Sequence, residues 1–337
     1  MDKARYKIKL IDDSQEILKN LKLGTHIPIW NEFYKYILYD LNCFKAKALY
    51  ILKNAKIISH ALLYHINKET LYFGFFKVYN DEDTRINQLI KEIISYAKTN
   101  NFSKIIGPIN IPTIIFGWGF MNEGSSETIF IAKPVHSPNY LELFLKNNFI
   151  VQSIQQSWEG NLPRITKKRI KKYNFDDYEF LILDDWNKFN KIKNQVLNLI
   201  SENLSSQSIV NPSPKKVFNN YVNFVIEFGE PYMFAFIKYK ESGKIVACSL
   251  SYPNPFSKDE EGFYNSFSPF VVAVDKNHRK KGLGMILAKK VFDLARKNKI
   301  RYLSTPVEKN VKVMNIGVQK IFQFKNLRQH MVLEFLL

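Results

Sequence analysis

Val271-Val272-Ala273-Val274-Asp275-Lys276-Asn277-His278-Arg279-Lys280-Lys281-Gly282-Leu283-Gly284-Met285-Ile286-Leu287-Ala288 reads as a buried strand that runs into a short turn and leaves as an amphipathic helix. Ile286, Leu287, Val291, Leu294 and Ala295 give the helix one apolar face. The R-x-x-G-x-G order of Arg279, Gly282 and Gly284 puts two glycines where backbone must approach a ligand closely. The helix that follows points its unpaired amides and its dipole at the same spot, which makes a cradle for a pyrophosphate. Average residue usage gives roughly 0.15 chance matches to three such positions in a chain this long, so the strand before and the helix after decide the reading. A Walker loop, G-x-x-x-x-G-K-[ST], is absent, and so is the G-x-G-x-x-G order of dinucleotide folds; nucleotide hydrolysis is disfavoured.

Working outward, the second half predicts strand Tyr178 to Leu183, helix Trp186 to Leu204 and helix Lys216 to Phe228. Strands Met233 to Tyr239, Ile245 to Tyr252 and Phe267 to Val274 follow, then helix Leu283 to Lys297, strand Tyr302 to Thr305, helix Asn310 to Lys320 and a strand through Leu333. The first half has the same order. Strand Tyr6 to Ile11 and a helix near Ile29 to Leu41 precede strands Ala48 to Leu52, Ile57 to Tyr64 and Thr70 to Val78. A helix begins at Asp81-Glu82-Asp83, followed by strand Lys104 to Ile106, a Gly-rich loop through Gly119, strand Thr128 to Ala132, helix Asn139 to Lys146 and strand Phe149 to Trp158. Between the halves, Arg164 to Lys172 holds six basic residues in nine. The expected organisation is α+β, a mixed and mostly antiparallel sheet with flanking helices, in two domains at 1–160 and 177–337 joined by a basic linker at 161–176.

The central stretch resembles the motif of the GNAT acetyltransferase superfamily, strand then V-x-P-x-x-R-x-x-G-x-G then helix. Val274, Arg279, Gly282 and Gly284 match it, and Lys276 stands where proline is common. The next family element is similar too: strand Tyr302 to Thr305 leads through Pro306, Val307 and Glu308 to Asn310, with Gln323-Phe324 where the family has Gly-Phe. The first half resembles a narrower set of tandem-GNAT proteins through Phe73-Gly74-Phe75-Phe76, Gly107-Pro108-Ile109-Asn110 and Gly117-Trp118-Gly119-Phe120. The resemblance implies two tandem GNAT-like domains, the second binding acetyl-CoA or another acyl-CoA. Arg279, Lys280, Lys281, Gly282, Leu283, Gly284 and Met285 would hold its pyrophosphate, Val272 and Val274 its pantetheine arm, and Asn310 would meet it where two splayed strands part. In the family a tyrosine after the second splayed strand protonates the departing thiolate; counted back from Phe324, that position is Gln319.

The first half carries Asp81, Glu82 and Asp83 where a phosphate would otherwise sit. These carboxylates satisfy the helix dipole and repel a pyrophosphate, so that half is expected to be degenerate, its loop from Asn110 to Phe120 walling a cleft or plugging its own core. Amine attack on a thioester needs a base and a source of the thiolate proton. Glu261, Tyr264 and Tyr302 are the candidates, and His278 falls at a position better explained by packing. No clustered Cys or His, H-E-x-x-H or G-x-S-x-G appears, so neither a metal site nor a serine nucleophile has support.

The formal net charge of +18 suits any polyanion, and much of the lysine is spread over helix faces. Two cysteines exclude a disulfide framework, and no leader or membrane span is recognisable, which predicts a cytoplasmic protein. The function expected is acyl transfer, acetyl first, from acyl-CoA to a primary amine of a small molecule or peptide. Two alternatives stand behind it: a CoA-binding or sensing protein, suggested by Gln319, and an aminoacyl-tRNA-dependent transferase using the basic linker. RNA comes last because aromatic residues are not interleaved with the basic ones.

Overall fold

The computed structural model describes residues 6–124, 128–203, 215–308, 322–324 and 326–337. The chain divides into two compact units. The first takes residues up to Gln156 and Arg328–Leu337; the second takes Ser157 to 203 and 215 to Leu327.

The first unit opens with β1 (Tyr6–Ile11), α1 (Ser14–Leu21) and α2 (Tyr34–Cys43). Asp13 caps α1 by accepting from the Glu16 amide at 2.7 Å, and Ile17, Leu18 and Leu21 bury its inner face. This helix was not anticipated, although an Asp before an apolar i, i+4 pair is a start signal. β2 (Lys47–Lys53), β3 (Lys56–His65) and β4 (Thr70–Val78) form an antiparallel meander with β1 on its outer edge. α3 (Asp83–Thr99) buries Ile86, Leu89, Ile90, Ile93 and Ala97, the stripe expected from their spacing. β5 (Lys104–Gly107) then lies parallel to β4, paired from Thr70↔Lys104 to Tyr72↔Ile106. α4 (Thr113–Phe116), β6 (Phe120–Glu123), α5 (Pro138–Lys146) and β7 (Ile150–Asn161) follow. The core is aromatic: Phe73 stacks on Phe144 at 5.1 Å, and Phe76, Phe120, Tyr140 and Phe149 surround the pair. The loop ending at Phe120 thus fills the interior of its own unit.

The expected strand at 128–132 is not one. Ala132 has φ +60° and gives its amide to the Ile115 carbonyl rather than to a ladder, and the strand in this region is β6. The apolar run that suggested a strand is instead an irregular segment with Phe130 and Ile131 fully buried.

The second unit contains α6 (Lys167–Ile170), β8 (Tyr178–Ile182), α7 (Trp186–Asn203), α8 (Lys215–Phe228), β9 (Phe234–Tyr239), β10 (Ile245–Pro253), β11 (Ser266–Val274), α9 (Leu283–Lys297) and β12 (Tyr302–Glu308). Strands β8 to β11 are antiparallel in sequence order, β12 joins β11 in parallel, and the end of β7 lies beyond β12. α9 buries Leu283, Leu287, Val291, Phe292 and Ala295, with Phe292 meeting Phe267 of β11 at 6.2 Å. The expected helix Asn310 to Lys320, and with it Asn310 and Gln319, lies outside the described residues.

The last strand, β13 (Asn326–Leu336), is assigned by sequence order to the second half but builds the first unit. It pairs antiparallel with β5, from Leu333↔Gly107 to Leu336↔Lys104, and with β6 at Met331↔Phe120, and it buries Val332 and Leu333 completely. No helix among the described residues is long and apolar enough to cross a membrane.

Candidate functional site

The turn between β11 and α9 has the shape the glycines foretell. Lys280 (φ +64°) and Gly282 (φ +77°) both adopt left-handed backbone, and Gly282 caps α9 without any side-chain hydrogen bond to its first amides. The two glycines stand for different reasons. A Cβ on Gly282 would sit 2.6 Å from the Tyr173 ring, so the fold itself requires glycine there. A Cβ on Gly284 would meet nothing within 4 Å, and Gly284 lies in the first turn of a helix, where glycine costs about 1 kcal/mol relative to alanine. The fold gains nothing from Gly284.

The side chains around the turn hold its shape. Arg279 donates from Nε to the Val274 carbonyl at 3.2 Å and from Nη2 to Asn203 Oδ1 at 2.8 Å, so its guanidinium braces the turn against α7. Leu283 is buried under the cradle as an anchor, whereas Lys280 and Lys281 are exposed. His278 packs between Tyr178 and Tyr239 and shares a 3.0 Å hydrogen bond with the Tyr178 hydroxyl, the packing role its position suggested. Val272 is 43% exposed on β11, an apolar side chain beside the strand edge that leads to the cradle.

β11 and β12 pair only at Ser266↔Tyr302 and Phe267↔Leu303 among the described residues, then continue to Val274 and Glu308. Past Leu303 no further pair joins β11 to β12 among the described residues. One carboxylate sits beside the end of this pairing. Glu159, on β7 and 7% exposed, accepts from the Ser304 hydroxyl at 3.2 Å, and Ser304 is the first residue of β12 beyond the last ladder pair. Glu159 and Tyr302 both line a cavity of about 730 Å³ that also carries Arg164, Arg169 and Phe324. The sequence reading ended the seventh strand at Trp158, one residue short of Glu159.

The other candidates lie elsewhere. Glu261 is 71% exposed and ion-paired with Lys299 at 3.0 Å, and Tyr264 forms a bridge with Lys258 in the loop before β11. Cys248 is fully buried, and burial pushes its thiol up to about 12, so it is no nucleophile. Among the described residues no group of three or more His, Cys, Asp or Glu could hold a metal ion.

In the first unit the corresponding places are filled by the chain itself. Beyond Tyr72↔Ile106 the gap between β4 and β5 is closed by Ile109 and Asn110. The Ile109 amide donates to the Phe73 carbonyl at 2.7 Å, and the Phe75 amide donates to Asn110 Oδ1 at 2.6 Å. Asn110 Nδ2 in turn donates to the Phe116 carbonyl at 3.1 Å. Asn110 thus takes the strand amide just beyond the last β4–β5 pair. At the helix start, Asp81 accepts from the Tyr140 hydroxyl at 2.6 Å and pairs with Lys77 at 3.5 Å, and Glu82 pairs with Arg85 at 3.0 Å. Asn110→Ala is expected to destabilise this unit by about 2 kcal/mol, because the buried Phe75 amide and Phe116 carbonyl both lose their partner, and Asn110→Asp to cost more, because it buries a carboxylate against the Phe116 carbonyl. Urea denaturation of the two variants checks the order.

Four histidines cluster in the same unit. The Val135 amide donates to His26 Nδ1 at 2.9 Å, and His330 Nε2 donates to the Pro134 carbonyl at 2.8 Å. His26 and His136 line a cavity of about 320 Å³ with Lys77 and Tyr140, and His60 is buried beside Gly24. Burial, reinforced by Lys77, Arg328, Lys133 and the imidazoles themselves, lowers His26 and His60 to about 4 and His136 and His330 to about 3.

Residues 196–316 match the family model described as acetyltransferase (GNAT) family. A search of curated protein sequences finds no match. Among solved structures, the GCN5-related glucosamine N-acetyltransferase region of a fungal multidomain GH3 β-N-acetylglucosaminidase superposes with a TM-score of 0.64 at 12% identity, over 99% of this chain and 38% of that one. This chain therefore spans well under half of that protein. A tandem GNAT protein from the clavulanic acid biosynthesis pathway gives 0.60 at 10% identity over 98% of both chains. A GCN5-related N-acetyltransferase from Sphaerobacter thermophilus gives 0.57 at 9% identity, over 98% of this chain and 95% of that one. Identities this low speak for the fold alone, and the family match covers the part of the second unit that contains the cradle. The second unit carries a GNAT acetyltransferase-family domain, within a chain whose whole fold is that of the tandem GNAT proteins.

Proposed function

We propose that the chain is an N-acyltransferase whose second unit moves an acetyl group from acetyl-CoA, or a short acyl group from a related thioester, to a primary amine. Gly284 carries this reading. It sits in the first turn of α9 at a cost to the helix, its Cα faces open space, and the amides beside it are uncapped. A diphosphate is what such a site accommodates. The pantetheine arm then follows β11 past Val272, which brings the thioester toward the place where the β11–β12 pairing ends.

The chemistry assigned to this chain's residues is modest. Glu159 takes a proton from the acceptor's ammonium, the freed amine attacks the thioester carbonyl, an N–C bond forms and the C–S bond breaks. An amide of β11 polarises the carbonyl as charge develops on its oxygen. The thiolate leaves with a proton relayed from the attacking nitrogen. The first unit, with Asn110 in the slot and Asp81 at the helix start, takes no part in cofactor binding.

Acetyl-CoA should raise the melting temperature of the purified protein, and thiol release should appear when an amine acceptor is added. Stabilisation with no thiol release from any amine favours a CoA-binding protein over an enzyme, and absence of both ends the acyl-CoA reading. Glu159→Gln is expected to lower kcat about 100-fold while leaving the acetyl-CoA stabilisation intact. Stopped thiol-release assays on the variant decide this, and an unchanged kcat removes Glu159 from the reaction.

A further inference from the structure

We propose that the acceptor is an amine that also carries a carboxylate, of the α-amino-acid kind; this rests on the acyltransfer reading above. The cavity that reaches Glu159 has charges of opposite sign on different elements. Glu159 comes from β7, is 7% exposed and is hydrogen-bonded to Ser304 of β12 at 3.2 Å. Arg164, Thr166 and Arg169 come from the segment that follows β7 and line the same cavity. A dipolar cavity suits a dipolar ligand: the ammonium meets Glu159 and the carboxylate meets the guanidiniums, whose planar forks bind carboxylates with two parallel hydrogen bonds.

The backbone that carries the arginines is held in place. Arg296 of α9 donates from Nη1 to the Pro163 carbonyl at 2.9 Å, which fixes the backbone just before Arg164. Thr166 starts α6, and its carbonyl accepts from the Arg169 amide at 3.2 Å, so the two residues are one turn apart on one helix face. The six basic residues of this segment read in sequence as a solvated charge run, yet two of its arginines line the cavity with Glu159. Tyr302, Phe322 and Phe324 supply apolar wall for the rest of the acceptor, and about 730 Å³ is ample for a small amino acid. A polyamine, by contrast, would bring a second cation against the arginines, where like charges repel. The cavity therefore selects by sign.

The test pairs acceptors that differ only in the carboxylate, L-lysine against cadaverine and L-phenylalanine against phenethylamine, with acetyl-CoA and the full chain. Thiol release gives kcat/KM, and calorimetry with CoA present gives binding of each acceptor. We expect the carboxylated member to be preferred by about tenfold or more in kcat/KM. Arg164→Gln and Arg169→Gln should erase that preference, by raising KM of the amino acids and, for the diamine cadaverine, by removing the repulsion of its second cation. Equal use of both members, or a preference that survives both substitutions, overturns the proposal while leaving acyl transfer standing. If no acceptor releases thiol, the enzyme reading fails; arginine-dependent binding of the amino acids then still supports the site, and its absence overturns it.

Discussion

Gly284→Glu is expected to abolish stabilisation by acetyl-CoA without lowering the stability of the free protein. The new side chain meets open space rather than protein, and a carboxylate in the first turn of a helix replaces a poor helix former and favours the dipole, so the fold gains by up to about 1 kcal/mol. Its charge lies where the diphosphate must approach, and the repulsion should weaken binding at least 100-fold, roughly 2.7 kcal/mol. Gly282→Ala should do the reverse. At φ +77°, and with a Cβ 2.6 Å from the Tyr173 ring, the substitution strains the loop and lowers the melting temperature even before ligand is added. Differential scanning calorimetry of both variants, with and without acetyl-CoA, separates the two effects. A Gly284→Glu protein that still responds to acetyl-CoA would place the cofactor elsewhere.

Acid should unfold the first unit at a pH where most proteins of this size are still folded. An unfolded histidine titrates near 6.5, whereas burial holds His26 and His60 near 4 and His136 and His330 near 3. Below 6.5 the unfolded chain therefore binds protons that the folded unit refuses. The stability these imidazoles confer is complete above pH 6.5 and is lost as the pH falls toward 4 and then 3. For His60, 2% exposed and lowered to about 4, the loss is on the order of 3 kcal/mol, and the other three imidazoles shift in the same direction. Hydrogen exchange followed from pH 7 to pH 4 should show protection in β3, β4 and α5 falling first. His60→Gln, which has no proton to take up, should flatten the profile, and protection that holds steady to pH 4 would refute the account.

The parts of this protein that were legible in the sequence are those that follow from local periodicity. The stripe on α3, the limits of α9 and the extent of β4 are visible in single stretches, and the cradle is visible because Arg279, Gly282 and Gly284 fall between a strand and a helix. Glu159 was not visible. Its meaning comes from Ser304, 145 residues away, and nothing local marks a glutamate as its partner. The histidine cluster escaped for the same reason: His26, His136 and His330 are distributed over most of the chain and meet only in three dimensions. The mistaken strand at 128–132 shows the opposite error, an apolar run whose burial is achieved without a ladder.

The return of β13 to the first unit also sets a schedule for biosynthesis. When the ribosome has finished the first 156 residues, β5 still offers an unpaired row of amides and carbonyls, and the place of Leu333 in the aromatic core is vacant. The nascent half must wait, through the translation of the entire second unit, for the strand that closes it. At about 5–20 residues per second that interval is on the order of ten seconds to half a minute, long enough for a chaperone to hold the open edge. A gene fragment cut between the halves, however sensible it looks on a sequence map, would release a protein arrested at that moment.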